Sequence, residues 1–189
     1  MKEDVTMRNM ILSAVIFAFS AIAAAGQEFG VSTNIADYAN LGTLNVQASY
    51  ALSRHWSLAA DLKYNPFSYS TRGGTVRNRQ RSVSAGARYW PWHAYSGWWL
   101  SGALRYQEYN TAGLFSDGSM QGDRVGASLG GGYSYMLTPS LNLEVGAGVW
   151  SGYDSYAEYD CPDCGRKTSA GQKFFFLPAE LVLALTYIF

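Results

Sequence analysis

From residue 44 to the C-terminus the chain repeats one pattern, with apolar side chains at every second position and small or polar ones between. In the last segment Leu181, Leu183, Leu185, Tyr187 and Phe189 share one face, and Val182, Ala184, Thr186 and Ile188 share the other. The alternation recurs over 141–149, 125–137, 98–107, 83–89, 56–64 and 44–52, with a weaker first segment near 28–35. Successive side chains of a strand point to opposite faces, so a period of two predicts strands, each with one apolar face. The chain's 20 glycines and its scattered Tyr and Trp are poor helix formers.

The connections alternate in length. Those at 53–55, 91–97 and 138–140 are short, and those at 65–80, 110–123 and 154–173 are long, with a brief one at 36–42. Short turns at one end and longer loops at the other are the pattern of an even-stranded outer-membrane barrel. Each segment is roughly 9–12 residues long, the length a tilted membrane-spanning strand needs. Aromatics gather at the segment ends: Trp56, Trp90, Trp92, Trp98, Tyr135 and Phe189 on the short-turn side, and Tyr64, Phe67, Tyr106, Tyr109, Trp150 and Tyr153 on the other. Such rings suit a membrane interface, being apolar with a polar tip. The expected fold is therefore all-β, an eight-stranded, antiparallel, up-and-down transmembrane β-barrel. The alternative is a soluble periplasmic ligand-binding barrel of lipocalin type, with the apolar face turned inward.

The N-terminus carries a different signal. Lys2 and Arg8 lead into an apolar run that ends at Ala23-Ala24-Ala25. The run is shorter than the about 20 residues of a spanning helix. A basic start, a short apolar stretch and small residues at the end describe a secretory signal peptide. Residues 1–25 are thus expected to be a signal peptide and 26–189 the barrel domain. No later apolar run approaches 18 residues, so any crossing of a membrane must be made by a closed sheet.

Composition narrows the function. Charged residues are 15% and aromatics 15% of the chain, and 14 basic side chains balance 14 acidic ones. A nucleic-acid binder needs a basic excess, so no nucleic-acid partner is expected. If the apolar face meets lipid, the opposite face carries Asp61, Lys63, Arg88, Arg105, Glu144 and Glu180. An eight-stranded lumen is narrow enough for side chains to fill it. Balanced charge in that space predicts an ion network that plugs the lumen; a gated polar pathway is the other reading. Glu144 and Glu180 imitate a general acid–base pair, but bases on the same face give them salt-bridge partners.

Catalytic and metal signals are weak. The two histidines, His55 and His93, both fall in short turns, so no catalytic residue is assigned and no enzyme is expected. Cys161-Pro162-Asp163-Cys164-Gly165 holds the chain's two cysteines. One C-x-x-C is half a zinc site, so neither a metal nor any other cofactor is expected. In an oxidising envelope a local Cys161–Cys164 disulfide is the leading reading, beside a reduced or transiently metal-bound pair. Arg72, Arg77, Arg79 and Arg81 cluster in the 65–80 connection and the strand after it. They form either a solvated loop or a contact with lipopolysaccharide phosphates, which arginine binds well.

Several of these stretches also resemble a domain-of-unknown-function family of small outer-membrane β-barrels from Bacteroides-type bacteria. The residues concerned are Tyr64-Asn65-Pro66, Ala87-Arg88-Tyr89-Trp90, and Tyr159 with Cys161-Pro162-Asp163-Cys164-Gly165 before Arg166-Lys167. Gly171-Gln172-Lys173, Phe175 and Pro178 continue the likeness. The last residues, with Tyr187 and the terminal Phe189, resemble the signal read by the barrel-assembly machinery. The resemblance implies outer-membrane lipid and that machinery as partners, and hints at a surface or fimbrial protein. It supplies no catalytic residues. The expected function is a small outer-membrane barrel of a Gram-negative bacterium with a structural or surface-interaction role in the cell envelope. A fimbria-associated or adhesion accessory role through the outer loops is the alternative.

Overall fold

The computed structural model describes residues 29–71, 74–113, 118–161 and 166–189. The expected signal peptide lies outside them. Strands dominate: β1 (Phe29–Asn34), β2 (Leu44–Ser53), β3 (Trp56–Asn65), β4 (Ser68–Thr71), β5 (Gly74–Tyr89), β6 (Gly97–Ala112), β7 (Ser119–Thr138), β8 (Leu141–Tyr159) and β9 (Lys167–Ile188). One short helix, α1 (Ile35–Ala39), follows β1, with the Asn34 side chain capping its start by accepting from the Ala36 amide. Among the described residues no helix is long and apolar enough to cross a membrane.

Each neighbour in the chain pairs antiparallel with the next, and β3 skips the short β4 to pair with β5. Pairing of β1 with β9 then closes eight strands into a ring, while β4 adds a ninth only at the rim. The register carries the alternation coherently around the sheet. Gln47, Asp61, Ser84, Arg105 and Gly126 form one cross-strand row, and Ala48, Ala60, Ala85, Leu104 and Ala127 form the row beside it. Because a one-residue slip would turn every side chain over, the two rows keep opposite faces. The apolar row faces out: Leu104 is 72% exposed and Leu181 74%, while Arg105 and Glu144 are buried.

Two expectations about the strands need correction. The long connections are mostly strand. Paired backbone runs through 74–80, 110–112, 119–123, 154–159 and 167–173. These stretches hold Ser, Thr, Gln, Asn, Asp and Tyr and have no continuous apolar face, yet backbone pairing needs none. The brief first connection contains most of α1, which begins at Ile35, so β1 ends at Asn34.

At the short-turn end the connection from β5 to β6 folds back beneath the ring. Trp90, Ala94, Tyr95, Trp99 and Ile188 form a buried cluster there. The Ala94 amide donates to Arg54 O, the Trp90 amide to His55 O, and Trp90 Nε1 to Ser57 Oγ at 3.0 Å. Gly97 ends this turn at φ 77°, and a Cβ there would meet the Trp92 ring at 2.5 Å, so only glycine fits.

Candidate functional site

The candidate site is the interior of the ring, which holds two ion-paired layers with a polar chamber between them. The lower layer centres on Arg88 of β5 and Glu144 of β8. Arg88 Nη1 donates to Glu144 Oε2 at 2.7 Å, and Nη2 donates to Gln47 Oε1 at 3.0 Å. Thr186 Oγ1 donates to the other carboxylate oxygen of Glu144 at 3.0 Å. The Arg88 guanidinium lies over the Trp99 ring, 4.6 Å from its centroid. Glu144 is 1% exposed, so both ions have left water and hold each other in a low-dielectric space. Below them Asn142 and Ser134 donate to Tyr95 O, tying the folded-back turn to β7 and β8. Burial raises the Tyr95 hydroxyl above the usual tyrosine range, with a hydrogen bond from Ser49 and the Arg88 charge acting the other way.

The upper layer joins Asp154, the first residue of an expected long connection, to Tyr109 and Arg124 beside another. Arg124 Nε donates to Asp154 Oδ2 at 3.1 Å and Tyr109 OH to Asp154 Oδ1 at 2.8 Å. Arg124 stands 4.0 Å from the Tyr109 ring centroid and 5.7 Å from that of Phe175. Phe175 meets Trp150 edge to face at 4.8 Å, and Arg105 lies 5.5 Å from the Trp150 ring. Between the layers is a chamber of about 60 Å3 bordered by Gln47, Asp61, Lys63, Arg88 and Arg105. That is space for a few waters.

Of the six expected lumen ions, Arg88 and Glu144 meet directly. Lys63 pairs with Asp37 of α1 at 2.8 Å, and Asp61 accepts from Ser84 Oγ at 3.3 Å. Arg105 shares its cross-strand row with Ser84 and Asp61. The Glu180 side chain falls outside the described residues. Three aromatics expected in interface belts are inside instead: Trp90, Tyr109 and Trp150 are at most 5% exposed. Parity explains this for two of them, because Tyr109 is in phase with Arg105 and Trp150 with Glu144. Trp99 was hidden beside the outward Trp98; it fits because Gly132 and Gly146 leave space where a Cβ would come within 3 Å of its ring.

The remaining candidates lie elsewhere. Arg77, Arg79 and Arg81 occupy alternate positions of β5 toward the long-hairpin end, while Arg72 is outside the described residues. Arg79 Nε donates to Pro66 O at 3.0 Å, and Arg81 pairs with Glu108 at 2.8 Å. Cys161 is disulfide-bonded, and Cys164 lies outside the described residues. Tyr187 and Phe189 stack edge to face at 4.9 Å, and the Phe189 amide donates to Phe29 O at 2.8 Å, which fastens the β1–β9 seam. His55 Nδ1 sits 2.9 Å from Trp90 O and His93 Nδ1 3.2 Å from Ala94 O, so both rings brace the short turns.

These features define an all-β protein, one antiparallel up-and-down ring of eight strands with apolar side chains outside and ion pairs within. The chain belongs to the DUF3575 family, proteins of unknown function, whose family model matches residues 10–189. No curated protein and no solved structure matches the chain.

Proposed function

We propose that this protein is a small outer-membrane β-barrel with a plugged lumen, acting as a structural or surface-interaction element of a Gram-negative envelope and not as an enzyme or open pore. The observation that carries the reading is its inverted polarity. Leu62, Leu100, Leu104, Leu129 and Leu181 are each more than half exposed, while Arg88 and Glu144 are buried. Water-soluble monomers rarely leave apolar patches beyond a few hundred Å2 uncovered, and a lipocalin-type barrel would turn this face inward around its ligand. From Trp56 to Tyr64 on β3, two outward aromatics stand about 26 Å apart along the strand, which at the about 35–45° tilt of a membrane barrel is about 20 Å of height, inside the ~25 Å apolar band. The signal peptide expected at residues 1–25 suits export. The bonded Cys161 at the long-hairpin end suits an oxidising exterior.

The test is fractionation of cells expressing the full chain. Washed outer membranes should keep the protein, and unboiled samples should migrate differently from boiled ones. Release by osmotic shock without detergent would contradict the proposal.

A second reading, docking of a surface or fimbrial protein, is favoured by one feature. Above its pairing with β1, the stretch of β9 from Lys167 to Pro178 has β8 on one side and no strand partner on the other among the described residues. An open edge of that length can accept an extended segment by main-chain hydrogen bonding. Shortening the β8–β9 hairpin should then abolish surface binding while leaving heat-modifiable migration intact. Unchanged surface binding after shortening would remove this reading.

A further inference from the structure

The outer face of β5 carries two features that belong to one ligand. Toward the long-hairpin end Arg77, Arg79 and Arg81 take alternate positions and so share a face. They are spaced about 6–7 Å apart and span about 13 Å of strand. Arg81 is 73% exposed, and its bond to Glu108 is a surface ion pair, of a weak kind that is open to exchange. Further down the same face the strand changes character, through Val83 to Ala85 and Ala87. Here the register sets small residues side by side, Ala48 beside Ala60, Ala60 beside Ala85 and Ala87 beside Gly102. They floor an apolar groove of about 850 Å3 walled by Phe29, Tyr50, Leu58, Leu104 and Leu129. Its centre at Ala85 lies about 13 Å along β5 from Arg81.

Resting on the membrane placement proposed above, we infer that this face holds one phosphorylated, multiply acylated glycolipid of the outer leaflet. Its phosphates lie on the arginines and an acyl chain lies in the groove. The order of the features along β5, cationic toward the rim and apolar toward mid-membrane, is the order of head and tail in an outer-leaflet lipid. Guanidinium groups bind phosphate oxygens in a bidentate manner. Arg79 and Arg81, both exposed, with the half-buried Arg77 on the same line, suit a headgroup with more than one phosphate better than a single phosphodiester. The groove sets the tail directly below, so that each half positions the other.

The experiment uses the full chain purified in detergent and measures binding of a bis-phosphorylated acylated disaccharide lipid, its dephosphorylated form, and phosphatidylglycerol. Wild type should bind the first at least tenfold more tightly than either of the others. Replacing all three arginines (R77Q, R79Q, R81Q) should weaken binding at least tenfold. Filling the groove with Ala85→Leu and Ala87→Leu should weaken binding several-fold, with heat-modifiable migration unchanged in both variants. Equal binding by the arginine variant, equal binding of phosphatidylglycerol, or no binding by folded wild type would overturn the inference. Failure of the chain to fractionate with membranes would instead remove the placement on which it rests.

Discussion

Replacing Arg88 with Met keeps most of the side-chain volume above Trp99 and removes the cation. Glu144 then keeps its hydrogen bond from Thr186 but loses the 2.7 Å bond to Nη1, and Gln47 Oε1 loses one of its two donors and keeps Ser32 Oγ. Only 11% of the Arg88 side chain and 1% of Glu144 reach solvent, so water does little to screen the stranded carboxylate. Breaking one partner of such a buried pair costs about 3–5 kcal/mol. Glu144→Met should cost a similar amount by stranding Arg88. The double variant removes both charges and should recover much of the loss, since a buried pair replaced by apolar residues is often close to neutral. The coupling between the two sites should therefore be at least about 3 kcal/mol, well outside the ~0.5 kcal/mol scatter of independent sites. Reversible urea unfolding in lipid vesicles, followed by tryptophan emission, measures it. Losses under 0.5 kcal/mol for either single variant, or simple additivity in the double, would refute the claim that this pair is a buried, mutually dependent unit.

Gly146→Ala should destabilise by about 1–3 kcal/mol through overpacking, because the new Cβ meets Trp99 at 2.8 Å and Gly131 O at 2.6 Å; an unchanged unfolding midpoint would count against that fit. Tyr95 is held neutral by burial, so its pKa is raised on folding. Its contribution is complete below the unfolded value near 10 and is lost as pH rises through the folded value. Tyr95→Phe should flatten the alkaline fall in stability, and an identical pH profile would contradict this. Planar-bilayer recordings should show no steady conductance, given an interior chamber of about 60 Å3 between two ion-paired layers; a persistent open level would overturn the plugged interior.

Much of this interior was legible from parity. Arg88, Arg105 and Glu144 are out of phase with the apolar residues of their own strands, and that alone places them on the inner face. The Arg124–Asp154 pair obeys the same rule, but it sits where β7 and β8 continue into polar sequence. An apolar alternation cannot mark a strand that has no apolar face to bury. Tyr109 and Trp150 were misread for a related reason: residue type near a strand end suggested an interface belt, whereas phase along the strand decides which side a ring takes. The Lys63–Asp37 pair was beyond sequence reasoning, because α1 brings Asp37 over the rim through a cap and turn that carry no periodicity.

Spin labels placed singly along β6 from Leu100 to Glu108 test the central claim most directly, by comparing collision rates with oxygen, which partitions into lipid, and with a water-soluble nickel chelate. The even positions, among them Leu100, Gly102, Leu104 and Tyr106, should report lipid, and the odd positions, Ser101, Ala103 and Gln107, should be shielded from both quenchers. Lipid contact at the odd positions, or nickel access along the even ones, would contradict a ring that turns its apolar face to the membrane and its ions inward.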